Sequence, residues 1–281
     1  MDKAAVDDFP GRFREIISDP LNLLILRHPE AGTVADGMVR LHNGLQVPLE
    51  GPGAYYGDFS QILVLNRGVH EPLEEFAFQT LLETLAEAPV MIELGAYWAH
   101  YSMWMALRRP RARLILVEPD ATNLAAGKAN FQRNGFAGKF IQAGIGPKGL
   151  GLDDLLDAEG IASVDLVHAD IQGAEQRLLA GAVRALEAHR VGCFFISTHS
   201  ADLHTGVAED LARHGYRIEL SSEPDRHTTS FDGFICATAP ERPALLRGLP
   251  LPPGRTDLQD AVPADLLGKL VALLPLVPLV R

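Results

Sequence analysis

VMIELGAYWAHYS, residues 90–102, holds the turn around which the rest of the chain is organised. Its apolar opening, 90–94, reads as a buried strand, and 99–107 reads as a helix. Between them stand Glu93, Gly95 and a run of aromatic residues. The alternation continues. Strands at 113–118, 139–143, 164–169 and 191–198 are interleaved with helices at 121–134, 152–158, 174–188 and 201–214. Repeated strand–helix units predict an α/β fold whose parallel sheet is covered on both faces. The last two strands, 217–221 and 233–238, have no helix between them and are expected to pair antiparallel.

Outside this core the patterns differ. GRFREIISDP, residues 11–20, reads as a short helix stopped by Pro20. MVRLHNGLQVPL, residues 38–49, alternates apolar and polar positions around Asn43-Gly44, a dipeptide suited to the positive φ angles of a tight hairpin turn. PLEEFAFQTLLETLAEA, residues 72–88, predicts an amphipathic helix with Pro72 in its first turn and Phe76, Leu81, Leu82 and Leu85 on its apolar face. After Ala239 the chain is rich in proline, then helical near 264–274. Three regions are therefore expected. Residues 1–71 form an N-terminal extension with a helix and a β-hairpin, 72–239 the cofactor-binding domain, and 240–281 a Pro-rich and apolar helical tail.

A chain of 281 residues with 47% hydrophobic and 22% charged residues has the composition of a folded globular protein. The net charge of −11 repels phosphate backbones, so nucleic acid is not an expected partner. The one dense basic run, LRRPRARL at 107–114, reads as a solvated helix end. Cys193 and Cys236, both in apolar strands, read as buried reduced thiols without disulfide or metal spacing. The acidic N-terminus is unlike a signal peptide, and Lys269, Pro275 and Pro278 interrupt the apolar C-terminus, so no membrane span is expected. A soluble, cytoplasmic protein is the expectation, and the apolar tail suggests a homodimer.

Open parallel sheets bind ligands beyond the carboxyl ends of their strands. Here the first strand ends at Glu93, and Gly95 lets the backbone pass close to a ligand. A dinucleotide site would need further glycines next to the pyrophosphate, whereas Ala96, Tyr97 and Trp98 follow. The second strand ends LILVEPD, placing Glu118 where a carboxylate accepts both hydroxyls of a ribose; Pro119 turns the chain and Asp120 caps the next helix. A ribose, a cationic amino-acid-like end and no phosphate describe S-adenosylmethionine. The competing reading makes Glu93 and Glu118 surface acids flanking helices.

ELGAYWAHYS (93–102), VEPDATNLAAGKANFQRNG (117–135) and VDLVHADIQGAEQRLLAG (164–181) resemble the FkbM-like family of S-adenosylmethionine-dependent methyltransferases, over residues 71–236. The resemblance implies a Rossmann-like sheet of seven strands, mostly parallel with the last antiparallel. It also implies that Glu93 and Gly95 border the methionine end of the cofactor, that Glu118 holds the ribose, that Gln142 and Ala143 lie near the adenine, and that Asp170 lies beside the methyl group. Ala99 stands where many members carry a second glycine.

Methyl transfer from a sulfonium needs an in-line nucleophile and, for a hydroxyl, a base. HADIQGAE, residues 168–175, ends the fourth strand and places Asp170 over the cofactor. Gln172 can orient a substrate hydroxyl or bond the loop. Glu175 can complement a helix start, and His168 reads as a core or supporting histidine. Enzymes that methylate exocyclic amines often carry Asn/Asp-Pro-Pro-aromatic here, so Asp170-Ile171-Gln172-Gly173 favours an oxygen acceptor. His199, at the end of the fifth strand, can be the general base, a ligand with Asp170 to a divalent metal such as Mg2+, or a helix cap. His204 reads as a surface residue. Upstream, His70 and Glu71 can reach the substrate or the methionine carboxylate. Tyr97, Trp98 and Tyr101 can stack on the sulfonium, line an acceptor pocket or pack the first helix.

The reading is an O-methyltransferase acting on a hydroxyl of a sugar, glycan precursor or secondary metabolite. The alternatives are a non-catalytic binding or assembly module on the same fold, and a nicotinamide oxidoreductase.

Overall fold

A computed structural model describes residues 9–146, 149–224, 229–246, 254–259 and 261–273. Helix α1 (Phe9–Ser18) ends before Pro20, where Asp19 accepts the Leu21 N–H and starts a 3-10 turn over Pro20–Leu23. Strands β1 (Val34–Ala35), β2 (Met38–Arg40) and β3 (Gln46–Pro48) form a small antiparallel sheet, with Val39 opposite Val47 in the expected hairpin. The hairpin turn is wider than Asn-Gly alone predicts. Only Gly44 of that pair takes a positive φ, 92°, and the Leu41 N–H closes the loop on Leu45 O at 2.8 Å. His42 sits in this loop.

Helices α2 (Gln61–Leu65) and α3 (Pro72–Thr84) follow. Helix α3 stops four residues short of its expected end. Leu85 is extended, Thr84 turns its hydroxyl back to Leu81 O, and the Arg109 guanidinium takes the Leu82 and Leu85 carbonyls.

The large sheet and its helices come next: β4 (Val90–Leu94), α4 (His100–Arg108), β5 (Arg113–Val117), α5 (Ala121–Arg133), β6 (Lys139–Ile141), α6 (Leu152–Ala158) and β7 (Leu166–Ala169). Then follow α7 (Glu175–Ala180), α8 (Val183–Glu187), β8 (Cys193–Thr198), α9 (Ala201–Arg213), β9 (Arg217–Ser222) and β10 (Gly233–Thr238). Helices α10 (Arg255–Gln259) and α11 (Pro263–Leu273) end the described chain. Leu274, Pro275 and Pro278 of the expected tail, and Pro147 and Lys148 of the Gly-rich turn, lie outside the described residues.

One expected helix, 174–188, is two. Gly181 approaches Gly151 closely, and Asp153 accepts the Arg184 and Ala185 N–H groups at 2.9 and 2.8 Å. That carboxylate starts α8 as a separate helix.

The large sheet has seven strands in the order β6-β5-β4-β7-β8-β10-β9. Strands β4 through β8 pair in parallel, and β10 lies antiparallel between β8 and β9. The fold is Rossmann-like, as the resemblance implied. Strand order reverses between β4 and β7, and this opens the crevice.

Alternation along the strands builds a core on each face. Ile92, Leu94, Val167 and Ile196 pack under α6 to α9. Met91, Leu166, Cys193 and Phe195 face the other way, into a core shared with Val39, Phe59 and Phe78 of the N-terminal elements. Both cysteines are buried and free. The basic run is a solvated helix end, with Arg108 paired to Glu83 at 2.9 Å and Arg113 to Glu159 at 3.1 Å.

Candidate active site

The turn after β4 is built by backbone bonds to its neighbours. The Gly95 and Ala96 N–H groups donate to Val117 O at 2.8 and 3.1 Å, and the Asp170 N–H donates to Leu94 O at 3.0 Å. Gly95 has φ 76°, and a Cβ there would collide with the Asp170 carbonyl. The close approach that this glycine permits is to the neighbouring strand end. It draws β4 and β7 together where the crevice opens. Glu93 is buried and accepts the Ser102 N–H at 3.1 Å, holding the first turn of α4.

Tyr97 and Ala99 both take left-handed backbone angles, φ 37° and 65°. Such angles cost roughly 1–3 kcal/mol per residue and persist only where surroundings impose them. Here the Tyr97 N–H donates to Glu118 Oε2 at 3.1 Å, its hydroxyl donates to Ala54 O at 2.7 Å, and Asn130 Nδ2 donates to Trp98 O at 3.0 Å. Glu118 also accepts the Asp120 N–H at 3.0 Å and bonds the Asn123 side chain, which leaves part of its acceptor capacity for a ligand. Burial raises its pKa, against the pull of those backbone donors. Pro119 is exposed, its carbonyl accepts from Gln142 Nε2 at 3.3 Å, and Ala143 is half-buried beside them. Asp120 caps α5 through the Thr122 and Asn123 N–H groups at 2.8 and 2.9 Å.

A cavity of about 30 Å³ lies inside the turn. Its wall brings together Glu93, Gly95, Tyr97, Trp98 and Asp170 with His70 and Glu71, whose segment folds over the sheet from the N-terminal side. Glu118, Pro119, Gln142 and Ala143 stand outside this wall, toward β5 and β6. Glu118 joins the cavity only through Tyr97. Tyr101 is buried against His168, with ring centroids 4.3 Å apart, and its hydroxyl donates to Glu71 Oε2 at 3.3 Å.

At the ends of β7 and β8 the structure brings Asp170 and His199 together, Oδ1 to Nε2, at 3.1 Å. Gln172 donates to Asp170 Oδ1 at 2.9 Å from a left-handed backbone, φ 49°. Glu175 lies 2.7 Å from His199 Nδ1 and also accepts the Gly173 N–H at 3.0 Å. Asp232 adds a third carboxylate, 3.5 Å from His199 Nε2. Burial opposes charge on this imidazole, yet the hydrogen bonds of Asp170 and Glu175 and the charges around it push its pKa up to about 10. His199 is therefore an imidazolium at neutral pH. His204 is buried, contrary to expectation. Its ring nitrogens lie 2.8 Å from Thr198 Oγ1 and 2.8 Å from Ser221 Oγ.

Several groups at the site escaped the sequence reading. Glu74 of α3 lies 2.5 Å from His168 Nε2 and accepts the Ser197 hydroxyl at 3.2 Å. Burial raises the Glu74 and Glu93 pKa values. Burial also works against His168, but Glu74 and Glu93 hold it protonated above its usual range. Glu75 lies 2.9 Å from His42 Nε2 and 2.6 Å from His70 Nδ1. Burial opposes its charge, but the two imidazoles hold it well below the usual carboxylate range. His100 is buried under Trp98, and desolvation, with the charge of His70, pushes its pKa far down. A signal existed for the two acids: helical spacing puts Glu74 and Glu75 on the same face as Ala77, Phe78, Leu81 and Leu82.

Residues 109–218 match the family model described as the Methyltransferase FkbM domain, and the chain is FkbM-like there, as two of its three motifs implied. The match is narrower than the expected 71–236 and leaves the turn after β4 outside it. No curated protein matches the chain. Among solved structures it is similar to a precorrin-6y C5,15-methyltransferase from Geobacter metallireducens GS-15, at 19% identity over 59% of this chain and 88% of that one, with TM-score 0.42. It is also similar to an O-methyltransferase from Bacillus cereus in complex with SAH, at 14% identity over 61% of this chain and 82% of that one, with TM-score 0.43. Among the described residues no helix is long and apolar enough to cross a membrane.

Proposed function

We propose that this S-adenosylmethionine-dependent methyltransferase transfers its methyl group to a hydroxyl of a small molecule: a sugar, a glycan precursor or a secondary metabolite. The observation that carries the choice of oxygen is the Asp170–His199–Asp232 cluster at the strand ends beside the cofactor turn. An amine acceptor would call for carbonyl acceptors at this point, whereas the cluster offers groups that take up a proton.

In this reading Glu93 and Gly95 flank the methionine end, Glu118 receives the ribose hydroxyls on its unused acceptor directions, and Pro119, Gln142 and Ala143 border the adenine. The acceptor enters along His70, Glu71 and Trp98, with Gln172 holding Asp170 in place. Asp170 receives the hydroxyl proton, beside the His199 imidazolium that Glu175 fixes through its other nitrogen. Asp170, His199 and Asp232 offer ligand atoms within 4.8 Å of one another, and the two carboxylates are the part of this set that suits a divalent cation such as Mg2+, the imidazole ligating only once it has given up its proton. Such an ion, when bound, lowers the pKa of a hydroxyl that it touches.

The test is S-adenosylhomocysteine formation across matched hydroxyl and amine acceptors, with and without Mg2+. Hydroxyl acceptors should turn over, and Asp170→Asn should lose about 10²–10⁴-fold in kcat while still binding S-adenosylhomocysteine. Turnover of amines alone, or an unchanged Asp170→Asn, would overturn the reading.

A further inference from the structure

At His100, which lines the cavity, a second group of ligating side chains converges. We propose that His42, Glu75 and His100 form a buried site for a zinc-type transition-metal ion. Their ligand atoms lie within 4.8 Å of one another, and all three residues are buried. This proposal stands independently of the choice of methyl acceptor.

His100 points to a missing partner. It is 2% exposed, and neither of its ring nitrogens has a hydrogen-bond partner among the described residues. A neutral imidazole carries one donor and one acceptor, and burying both unmet is costly. A metal ion accepts the lone pair that nothing else meets. His42 supplies the complementary half. Its Nδ1 has a carbonyl to donate to, Leu26 O at 3.3 Å, and its Nε2 faces Glu75 Oε2, 2.9 Å away. A metal ion there would take the place of the proton that Nε2 otherwise shares with Glu75.

The surroundings suit an ion held by nitrogen. His70 lies 2.6 Å from the other oxygen of Glu75, the outer contact that orients a ligating carboxylate. Trp104 meets His42 edge-on at 4.4 Å, and Trp98 stacks on His100 at 12° and 5.0 Å, so both imidazoles are locked in place. Two imidazoles and one carboxylate are the ligands of zinc, cobalt and their neighbours, whereas magnesium and calcium prefer oxygen alone. The cavity of about 30 Å³ bordered by His100 has room for a water as fourth ligand. The three ligands come from the hairpin loop, α3 and the first residue of α4. The ion would tie the N-terminal sheet to the helix that follows the cofactor turn.

The test uses the full chain. Metal content is measured on protein as purified. After chelation, Co2+ is titrated in while its visible bands and the melting temperature are followed. One equivalent of Co2+ with tetrahedral bands, a raised melting temperature, and persistence of both in Asp232→Asn are expected. His100→Gln should weaken this binding by more than about 100-fold, beyond the loss of an outer contact. Should His100→Gln fail to fold, the metal-dependent melting shift of the unaltered protein and of Asp232→Asn still decides. Absence of stoichiometric Co2+ or Zn2+ from the unaltered protein would overturn the proposal. So would a single bound ion that Asp232→Asn abolishes and His100→Gln leaves in place.

Discussion

The Tyr97 N–H donates to Glu118 Oε2 at 3.1 Å, tying the turn after β4 to the acid that ends β5. On its other side the Tyr97 carbonyl rests against α5 at Gly127, where an added Cβ would lie 2.6 Å from the oxygen. The left-handed Tyr97 is thus clamped between an acid and a glycine of the next strand–helix unit. The turn and Glu118 are thereby held together.

Gly127→Ala should therefore reverse the usual rule. Within a helix this exchange normally stabilises by about 1 kcal/mol. Here the methyl group displaces the Tyr97 carbonyl, and a loss of about 1–3 kcal/mol is expected, as for other overpacked sites. Urea unfolding measures it, and weaker S-adenosylhomocysteine binding should accompany it. A more stable Gly127→Ala would show that the turn is free to shift.

Glu74→Ala should be among the most damaging single changes at the site. It leaves His168 buried with Glu93 as its remaining carboxylate, 4.0 Å away. Breaking such a pair costs about 3–5 kcal/mol. Arg108→Ala, which removes the exposed pair with Glu83, should cost under about 1 kcal/mol. Equal losses in the two variants would contradict the buried charge pair.

Asp19 gives the stability a pH dependence. Burial raises its pKa from 3.8 to about 6, against the bonds donated by Thr229 and Leu21. Because the folded value is the higher one, its contribution is fully present below pH 3.8 and is lost as pH rises through about 6. The loss is about 3 kcal/mol at roughly 1.4 kcal/mol per pKa unit. Asp19→Asn should melt like the unaltered protein near pH 4 and above it at pH 7 to 8. A difference that does not change with pH would contradict this.

The strands were legible because hydrophobic period and turn residues act locally: the sequence pattern places 90–94 and 152–158 where β4 and α6 lie. The positions of Glu93, Glu118, Asp170 and His199 at strand ends were legible for the same reason. The rest depends on contacts across the chain. Asp232 meets His199 because β10 pairs antiparallel with β8, with Gly233 opposite Thr198, a register that no local pattern carries. Helical spacing puts Glu74 and Glu75 on the apolar face, but their partners are histidines from β7 and the hairpin loop, far away in sequence. His204 read as exposed because nothing near it in sequence reveals Ser221. The break at Gly181 comes from Asp153 and Gly151, about thirty residues away.

The central claim is that the acid-bearing turns of β4 and β5 hold S-adenosylmethionine. Calorimetric titration of S-adenosylhomocysteine into the purified chain tests it most directly. The account predicts saturable one-to-one binding that Glu118→Ala weakens by about 10–100-fold, the worth of a charged hydrogen-bond acceptor at roughly 1.5–3 kcal/mol. No heat from the unaltered protein, or equal affinity in Glu118→Ala, would contradict it.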